Sequence, residues 1–440
     1  MTKPPSGTSG LPPAPSYPLV RTVLGNGLRV LLAPDRAVPL VGIAVHYDVG
    51  CRSEPQGRTG FAHLFEHLMF QGSQNLEKFA HFRYVQSSGG TFNGMTHLDY
   101  TNYFEVLPSN ALERGLFLEA DRMRSPRITE ESLANQIAVV KEEIRVNVLN
   151  RPYGGFPLLL LPPVLFDTFP NAHNGYGDFV DLESATLEDA AEFFHRYYAP
   201  ANAVLCVAGD LDAGEALAMV ERHFGDIESR QAPARPSFAE PDLTAERREH
   251  VVDLHAPRPA VAAAWRVPDP VADLSAYLPY VVLVELLTDG DASRLQQRLV
   301  KRDRLATQLA AQLGFGGGPF DARDPTALVF RAYHPDAVST DVILSTVDSE
   351  LDRLAGDGVA VGELDRVTAR IVAQLLRDVD SVLGRTLMLA VLEQQRGRAE
   401  LLGELPGMVA AVTDEQVRAA AASLRPERRA VLELRAGAAA

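Results

Sequence analysis

Three residues, His63, Glu66 and His67, could together bind a metal ion and use it for hydrolysis. They lie in segment 61–70, whose other residues are all apolar, and such a segment predicts a buried helix. Histidines four positions apart share one helical face, where two imidazoles can hold one zinc ion and leave room for a third ligand and a water. Glu66 stands one residue before His67, close enough to take a proton from that water.

The same three residues also have a simpler interpretation. A pattern this short occurs by chance, and a pair of helical histidines is often structural. The apolar surroundings favour a metal site, because buried polar groups are costly unless something satisfies them. A third ligand elsewhere in the chain would decide between the two interpretations.

A second helix supplies a candidate for that ligand. Residues 129–150 predict a long amphipathic helix with Thr129 as its N-cap. On the helical wheel Glu143 falls about 60° from the apolar Val140, whereas Glu142 falls about 160° away. Glu143 therefore borders the buried face and is predicted as the third ligand, and Glu142 is predicted to point to solvent. The apolar residues that define the buried face are Leu133, Ile137, Val140, Ile144 and Val148.

These features resemble the pitrilysin and mitochondrial-processing-peptidase superfamily of zinc metallopeptidases, the inverzincins with an H-x-x-E-H motif. In that family the third ligand is a glutamate about 76 positions after the second histidine, in a helix ending V-V-x-E-E. Glu143 stands 76 positions after His67 and ends the sequence VVKEE. The resemblance implies one Zn²⁺ per chain, held by His63, His67 and Glu143, with Glu66 as the general base. Where the family usually has an acid seven positions before the ligand, this chain has Gln136, a change expected to tune the site without preventing zinc binding.

Other segments extend the resemblance over most of residues 20–230. Residues 24–30 (LGNGLRV) resemble the family's first hairpin, and Asn-Gly is itself a strong turn signal. Segment 89–103 resembles an edge strand to which an extended substrate peptide adds by β-augmentation. That resemblance implies substrate binding by Gly90, Thr91, Phe92 and Asn93. Residues 197–210 resemble the strand and turn that close the family's first domain.

Composition sets outer limits on fold and partners. The 440 residues are 46% hydrophobic with a net charge of −15, which suits more than one core and disfavours nucleic acid or anionic membranes as partners. With no apolar run of 18 residues, no membrane span is expected. The most apolar stretch, 156–166, contains three prolines and is predicted to be a loop. Residues 1–18 predict a disordered arm, not a signal peptide, so a cytoplasmic location is expected, with the bacterial periplasm as the alternative if an upstream signal was removed.

The chain divides near a Pro- and charge-rich stretch at residues 231–247, which predicts a linker. It separates a zinc-binding peptidase domain at 19–230 from a second domain at 248–440. The resemblance implies an α+β fold with two homologous domains, each a mixed β-sheet packed with helices, which together form half of a clamshell.

The second domain departs from the family at two positions. Complete family enzymes have an Arg and a Tyr seven apart that bind the substrate backbone and support the oxyanion. Val300 and Thr307 stand there in this chain, and neither offers an equivalent donor. The expected function is therefore the catalytic subunit of a zinc endopeptidase for unfolded peptides, active as a heterodimer with a paralogous subunit that lacks zinc but carries the Arg/Tyr pair. A second copy of this chain would not bring that pair.

Two alternatives remain open on the sequence. The chain could be a structural or assembly subunit that retains a zinc site, although Glu66 argues against this because a structural site needs no base. It could also be a zinc hydrolase that acts on something other than peptides, and only the edge-strand segment distinguishes that function from a peptidase.

Overall fold

The computed structural model describes residues 16–437, so most of the predicted disordered arm at residues 1–18 lies outside the described residues. In the first half, the described residues form six strands and nine helices, with short 3-10 turns at Cys51–Ser53, Ser109–Ala111 and Pro200–Asn202. In chain order they are β1 (Val20–Val23), β2 (Arg29–Pro34), β3 (Leu40–Tyr47), α1 (Phe61–Leu68), α2 (Ala80–Ser87), β4 (Thr91–Thr96), β5 (Thr101–Pro108), α3 (Leu112–Arg124), α4 (Glu130–Ile144, continued by a π-helical segment at Arg145–Leu149), α5 (Pro162–Leu165), α6 (Phe169–Ala172), α7 (Phe179–Glu183), α8 (Leu187–Tyr197), β6 (Ala203–Gly209) and α9 (Ala213–Phe224).

The second half begins with a strand at Arg247, the last residue of the predicted linker. It contains a π-helical segment at Gln296–Arg302 and a 3-10 turn at Pro426–Arg428. Its strands and helices are β7 (Arg247–Asp253), β8 (Ala260–Val267), α10 (Leu274–Thr288), β9 (Gln308–Leu313), β10 (Thr326–Tyr333), α11 (Thr340–Asp357), α12 (Glu363–Asp378), α13 (Val382–Arg396), α14 (Leu401–Ala410), α15 (Asp414–Ser423) and β11 (Arg429–Ala436). Among the described residues, no helix is long and apolar enough to cross a membrane.

The first half builds a six-stranded sheet in the order β1-β2-β6-β3-β5-β4. Strands β1 and β2 form the expected hairpin around Asn26-Gly27, where Gly27 adopts a φ of 90° that favours glycine. β2 runs parallel to β6, and the remaining pairs are antiparallel, so the sheet is mixed. β4 lies at the edge of the sheet, as expected for segment 89–103.

Alternation along the strands gives this sheet two apolar faces. Val30 and Leu32 of β2 pack with α1, α3 and α9 in a core that belongs to the first half. Leu31 and Ala33 point to the opposite face and join a core with residues of α13, including Leu389. One face of the first sheet is therefore covered by a helix from the second half.

The second half builds a five-stranded sheet in the order β7-β11-β8-β10-β9, which is also mixed. One face packs against α10, α11 and α15. The other face, which includes Ala262 and Ala264, is covered by segment 156–166 of the first half, through Leu161 and Leu165. The segment is mostly turn and loop, as its prolines predict, with one short helix at Pro162–Leu165, and it buries its apolar side chains against the second sheet. The α+β fold with two mixed sheets packed by helices is confirmed.

Candidate active site

Helix α1 carries the H-x-x-E-H residues and is held at its first turn by a buried acid. It has no N-cap side chain of its own, because it begins after Gly60. The Glu54 carboxylate instead accepts the backbone amides of Gly60 at 2.9 Å and Ala62 at 2.8 Å. The helix buries its apolar residues, so that His63, Glu66 and His67 emerge together on the one partly exposed face.

Helix α4 places the predicted third ligand opposite that face. Thr129 caps the helix in a reciprocal capping box with Ser132. The Glu143 side chain is 30% exposed and faces α1, whereas Glu142 is 64% exposed and pairs with Arg145. This is the orientation that helical spacing predicts for the two glutamates.

The three predicted ligands converge. Glu143 Oε2 lies 3.7 Å from His63 Nε2 and 3.4 Å from His67 Nε2, and the two imidazole rings are nearly perpendicular. Tetrahedral zinc with bonds of about 2.0–2.2 Å requires donor atoms roughly 3.3–3.6 Å apart. Burial, with the neighbouring His67, lowers the pKa of His63 to about 4, which keeps that imidazole neutral and able to bind a metal. The donor set and its spacing therefore fit a three-ligand zinc site.

Gln136 lies buried on α4 beside His67. Burial opposes a positive charge on His67, but Glu143 and Glu66 outweigh it and raise the His67 pKa, with a smaller contribution from the Gln136 side chain. Gln136 thus sits where a residue that tunes a ligand is expected.

Glu66 lies between this cluster and the edge strand. The Thr96 hydroxyl on β4 donates a hydrogen bond of 2.7 Å to Glu66 Oε2. Burial raises the Glu66 pKa, although the Thr96 hydrogen bond works in the opposite direction. A carboxylate with a raised pKa is suited to taking and returning a proton near neutral pH.

Only part of the predicted substrate-binding segment lines the cleft. A cavity of about 510 Å³ opens at Glu66 and is bordered by Asn93 through Thr96 of β4. Gly90 lies just before β4, and Thr91 and Phe92 are its first two residues. The Phe92 ring turns inward and packs on Phe70. Gly90, Thr91 and Phe92 therefore do not border this part of the cleft.

The rest of the cleft comes from parts of the chain that the motifs do not mark. Its walls include Leu158, Leu159, Pro162 and Phe166 from segment 156–166, residues 173–176, and Phe315, Gly316 and Gly317 of the second half. Val300 packs on the second-half core, and the Thr307 hydroxyl donates to the Tyr333 carbonyl at 3.1 Å. Neither is among the residues that border the cleft.

Three residues near the predicted metal ligands have roles that the sequence did not predict. Glu54 caps α1, His173 Nε2 lies 3.1 Å from Glu54 Oε2, and the Tyr176 ring packs against His63. They lie outside the H-x-x-E-H helix and outside periodic segments, so the sequence pattern gave no signal for them.

Comparison with known proteins agrees with this architecture. Residues 29–152 match the family described as insulinase (peptidase family M16), and residues 184–371 match the peptidase M16 inactive domain. A zinc protease PqqE of Helicobacter pylori is 28% identical over 370 residues, covering 81% of this chain and 79% of that protein.

Solved structures share the fold over nearly the whole chain. The crystal structure of a protease from Helicobacter pylori superposes with a TM-score of 0.87 at 24% identity, covering 96% of this chain and all of the other. A peptidase M16 inactive domain from Pseudomonas fluorescens gives a TM-score of 0.83 at 19% identity, covering 96% and 98%. The two family matches follow one another along the chain. Together with the shared fold, they show that this chain belongs to the M16 peptidase family of the pitrilysin-like superfamily.

Proposed function

We propose that this protein is the catalytic subunit of a zinc-dependent endopeptidase that cleaves unfolded peptides. The observation that carries the proposal is the convergence of His63, His67 and Glu143 beside Glu66, which is itself hydrogen-bonded to the edge strand. When bound by the three ligands, zinc would acidify a water and polarise the scissile carbonyl.

The chain's own residues would supply proton transfer and substrate alignment. Thr96 holds Glu66 Oε2, which leaves Oε1 to accept a proton from the attacking water and later return it to the leaving amine. An extended peptide would pair with the edge of β4, the strand whose Gly94 and Thr96 lie next to Glu66. A folded protein could not present an extended backbone there, so the substrate is an unfolded segment.

The complete enzyme would need a second subunit. Val300 and Thr307 provide no guanidinium or phenol where family enzymes have their Arg/Tyr pair. We therefore propose a heterodimer with a paralogous two-domain subunit that lacks zinc but carries this pair, which would close over the cleft as the other half of a clamshell. A second copy of this chain would leave the same groups missing.

The experiment is hydrolysis of an unstructured peptide by the zinc-loaded chain, alone and mixed with such a paralogue. Activity is expected only in the mixture, and Glu66→Gln should abolish it while zinc stays bound. Glu142→Gln, an exposed acid on the neighbouring helix, is the matched control and should stay active. Full turnover by the isolated chain would refute the divided site, and an active, zinc-loaded Glu66→Gln variant would refute the role of Glu66.

A structural or assembly subunit that retains zinc is the second candidate. It is favoured by the loss of the Arg/Tyr pair and by Gln136 in place of the family's acid. The same experiment separates the two candidates, because an assembly subunit would bind zinc and the paralogue but hydrolyse nothing in either form.

A further inference from the structure

Tyr176 lies in the loop between α6 and α7, beside the first metal ligand. Its ring packs edge-to-face on the His63 imidazole, with the ring centres 5.2 Å apart and the planes at 90°. Tyr176 is half-buried and borders the same cleft as Glu66 and Glu143. Aromatic rings in this perpendicular arrangement attract each other and fix each other's orientation.

The other nitrogen of His63 lacks a hydrogen-bond partner within the described part of the chain. Nε2 faces Glu143, whereas Nδ1 is buried and makes no hydrogen bond. A metal-binding histidine almost always donates its second ring N–H to a carboxylate, a carbonyl or a water, and that bond sets the plane of the ring. Among the described residues, none performs this task at His63. Two rings pack edge-to-face on its imidazole, those of His67 and Tyr176, and because His67 is itself a proposed zinc ligand, the Tyr176 ring is the one available to orient His63.

We propose that Tyr176 is a positioning residue that orients His63 for zinc through its ring and not through its hydroxyl. The inference rests on the proposed zinc site. In this proposal the Tyr176 ring fixes the plane of the His63 imidazole, which in other metal-binding histidines is fixed by a hydrogen bond donated by the second ring N–H.

The loop that carries Tyr176 is attached to the start of α1. Gly60 and Gly177 approach so closely that a Cβ on Gly177 would lie 2.5 Å from the Gly60 Cα. The Asn174 side chain accepts the backbone amides of Tyr176 at 3.1 Å and Gly177 at 3.0 Å. His173 also contacts the Glu54 carboxylate that caps α1. The ring of Tyr176 and the helix that carries His63 are therefore held as one unit.

The test compares Tyr176→Phe with Tyr176→Leu in the full chain. Zinc affinity is measured by chelator competition, and ligand geometry by the visible absorption of the cobalt-substituted protein. Tyr176→Phe keeps the ring and should bind zinc within about threefold of the unmodified protein. Tyr176→Leu should lose about 10- to 100-fold in affinity, the usual cost of removing a group that orients a ligand, and should alter the cobalt spectrum.

Two further variants make the result specific. Tyr153→Leu removes another half-buried ring with an edge-to-face partner, Tyr333, and should leave zinc affinity unchanged. Gly177→Ala keeps Tyr176 but must displace its loop, so it should weaken zinc binding as Tyr176→Leu does, with circular dichroism of the metal-free proteins reporting that each variant is folded.

The outcomes separate this inference from the proposed function. If the unmodified chain binds zinc and Tyr176→Leu matches it in affinity and cobalt spectrum, Tyr176 does not position His63. If Tyr176→Phe loses as much as Tyr176→Leu, the hydroxyl and not the ring is responsible, and the proposal is wrong. If the unmodified chain binds no zinc, the proposed function fails and this inference fails with it.

Discussion

The Thr96 hydroxyl donates a 2.7 Å hydrogen bond to Glu66 Oε2, so the edge strand β4 and the helix α1 meet at the proposed base. Thr96→Val removes this donor while keeping the shape of the side chain. Glu66 would then be free to rotate away from the water, so we expect kcat of the complete enzyme to fall about 10-fold with zinc content unchanged. Thr96→Ser, which keeps the hydroxyl, should retain most activity. A fully active Thr96→Val enzyme would show that this hydrogen bond does not orient the base.

Glu54 should be a main source of stability for α1. Its carboxylate is fully buried and accepts from two backbone amides and from His173. Glu54→Ala leaves these donors without a partner, and we expect a loss of about 2–4 kcal/mol in the free energy of unfolding. Urea unfolding of the metal-free protein measures it. Glu142→Ala, which removes an exposed ion pair with Arg145, should cost less than about 1 kcal/mol. Equal losses in the two variants would contradict the role of Glu54.

The buried side chains of His81 on α2 and Glu105 on β5 should make the free energy of unfolding fall as pH rises toward 8. Burial, partly opposed by Arg122, raises the pKa of Glu105 to about 8, and burial lowers the pKa of His81 to about 3. The two side chains lie 3.4 Å apart, next to Glu119 and Arg122. Both are therefore neutral near pH 7, and the Glu105 proton is available to hydrogen-bond His81.

The sign of the pH effect follows from the raised Glu105 pKa. A carboxyl group whose pKa is higher in the folded state stabilises the fold fully below its unfolded pKa, and that stability is lost as pH rises through about 8. His81 stays neutral in the folded state above pH 6.5, and its remaining titration in the unfolded state is common to the unmodified protein and the Glu105→Gln variant, so it cancels in their comparison. Between pH 6.5 and 8, the unmodified protein should lose about 2 kcal/mol relative to Glu105→Gln, which cannot ionise. The measurement is the free energy of unfolding in urea as a function of pH. The same pH dependence in both proteins would show that Glu105 is not held neutral in the folded state.

The two halves should unfold together. α13 of the second half covers the face of the first sheet that includes Leu31 and Ala33, and a side chain at Gly42 of β3 would collide with Thr386 of α13. Residues 19–230 expressed alone would expose this apolar face, so we expect an aggregating or molten product. The full chain should show one cooperative transition by circular dichroism and by tryptophan fluorescence. A stable, monomeric fragment would show that the halves are independent.

The sequence was most informative where the signal was local and periodic. The Asn26-Gly27 turn predicted the β1–β2 hairpin, and helical spacing separated Glu143 from Glu142. It was least informative where distant segments meet. Nothing in segment 156–166 indicates that it covers the second sheet, because its apolar residues follow no period and its prolines favour a loop. The contacts of Tyr176 with His63 and of Glu54 with α1 depend on tertiary packing, which spacing along the chain does not encode.

Metal analysis of the purified chain, combined with anomalous X-ray scattering at the zinc edge on its crystals, tests directly whether zinc binds at the three converging side chains. We expect about one zinc ion per chain, bonded to His63 Nε2, His67 Nε2 and Glu143, with Glu143→Gln losing the metal and Glu142→Gln retaining it. No zinc in the unmodified protein, zinc at other residues, or equal loss of zinc from both variants would contradict this expectation.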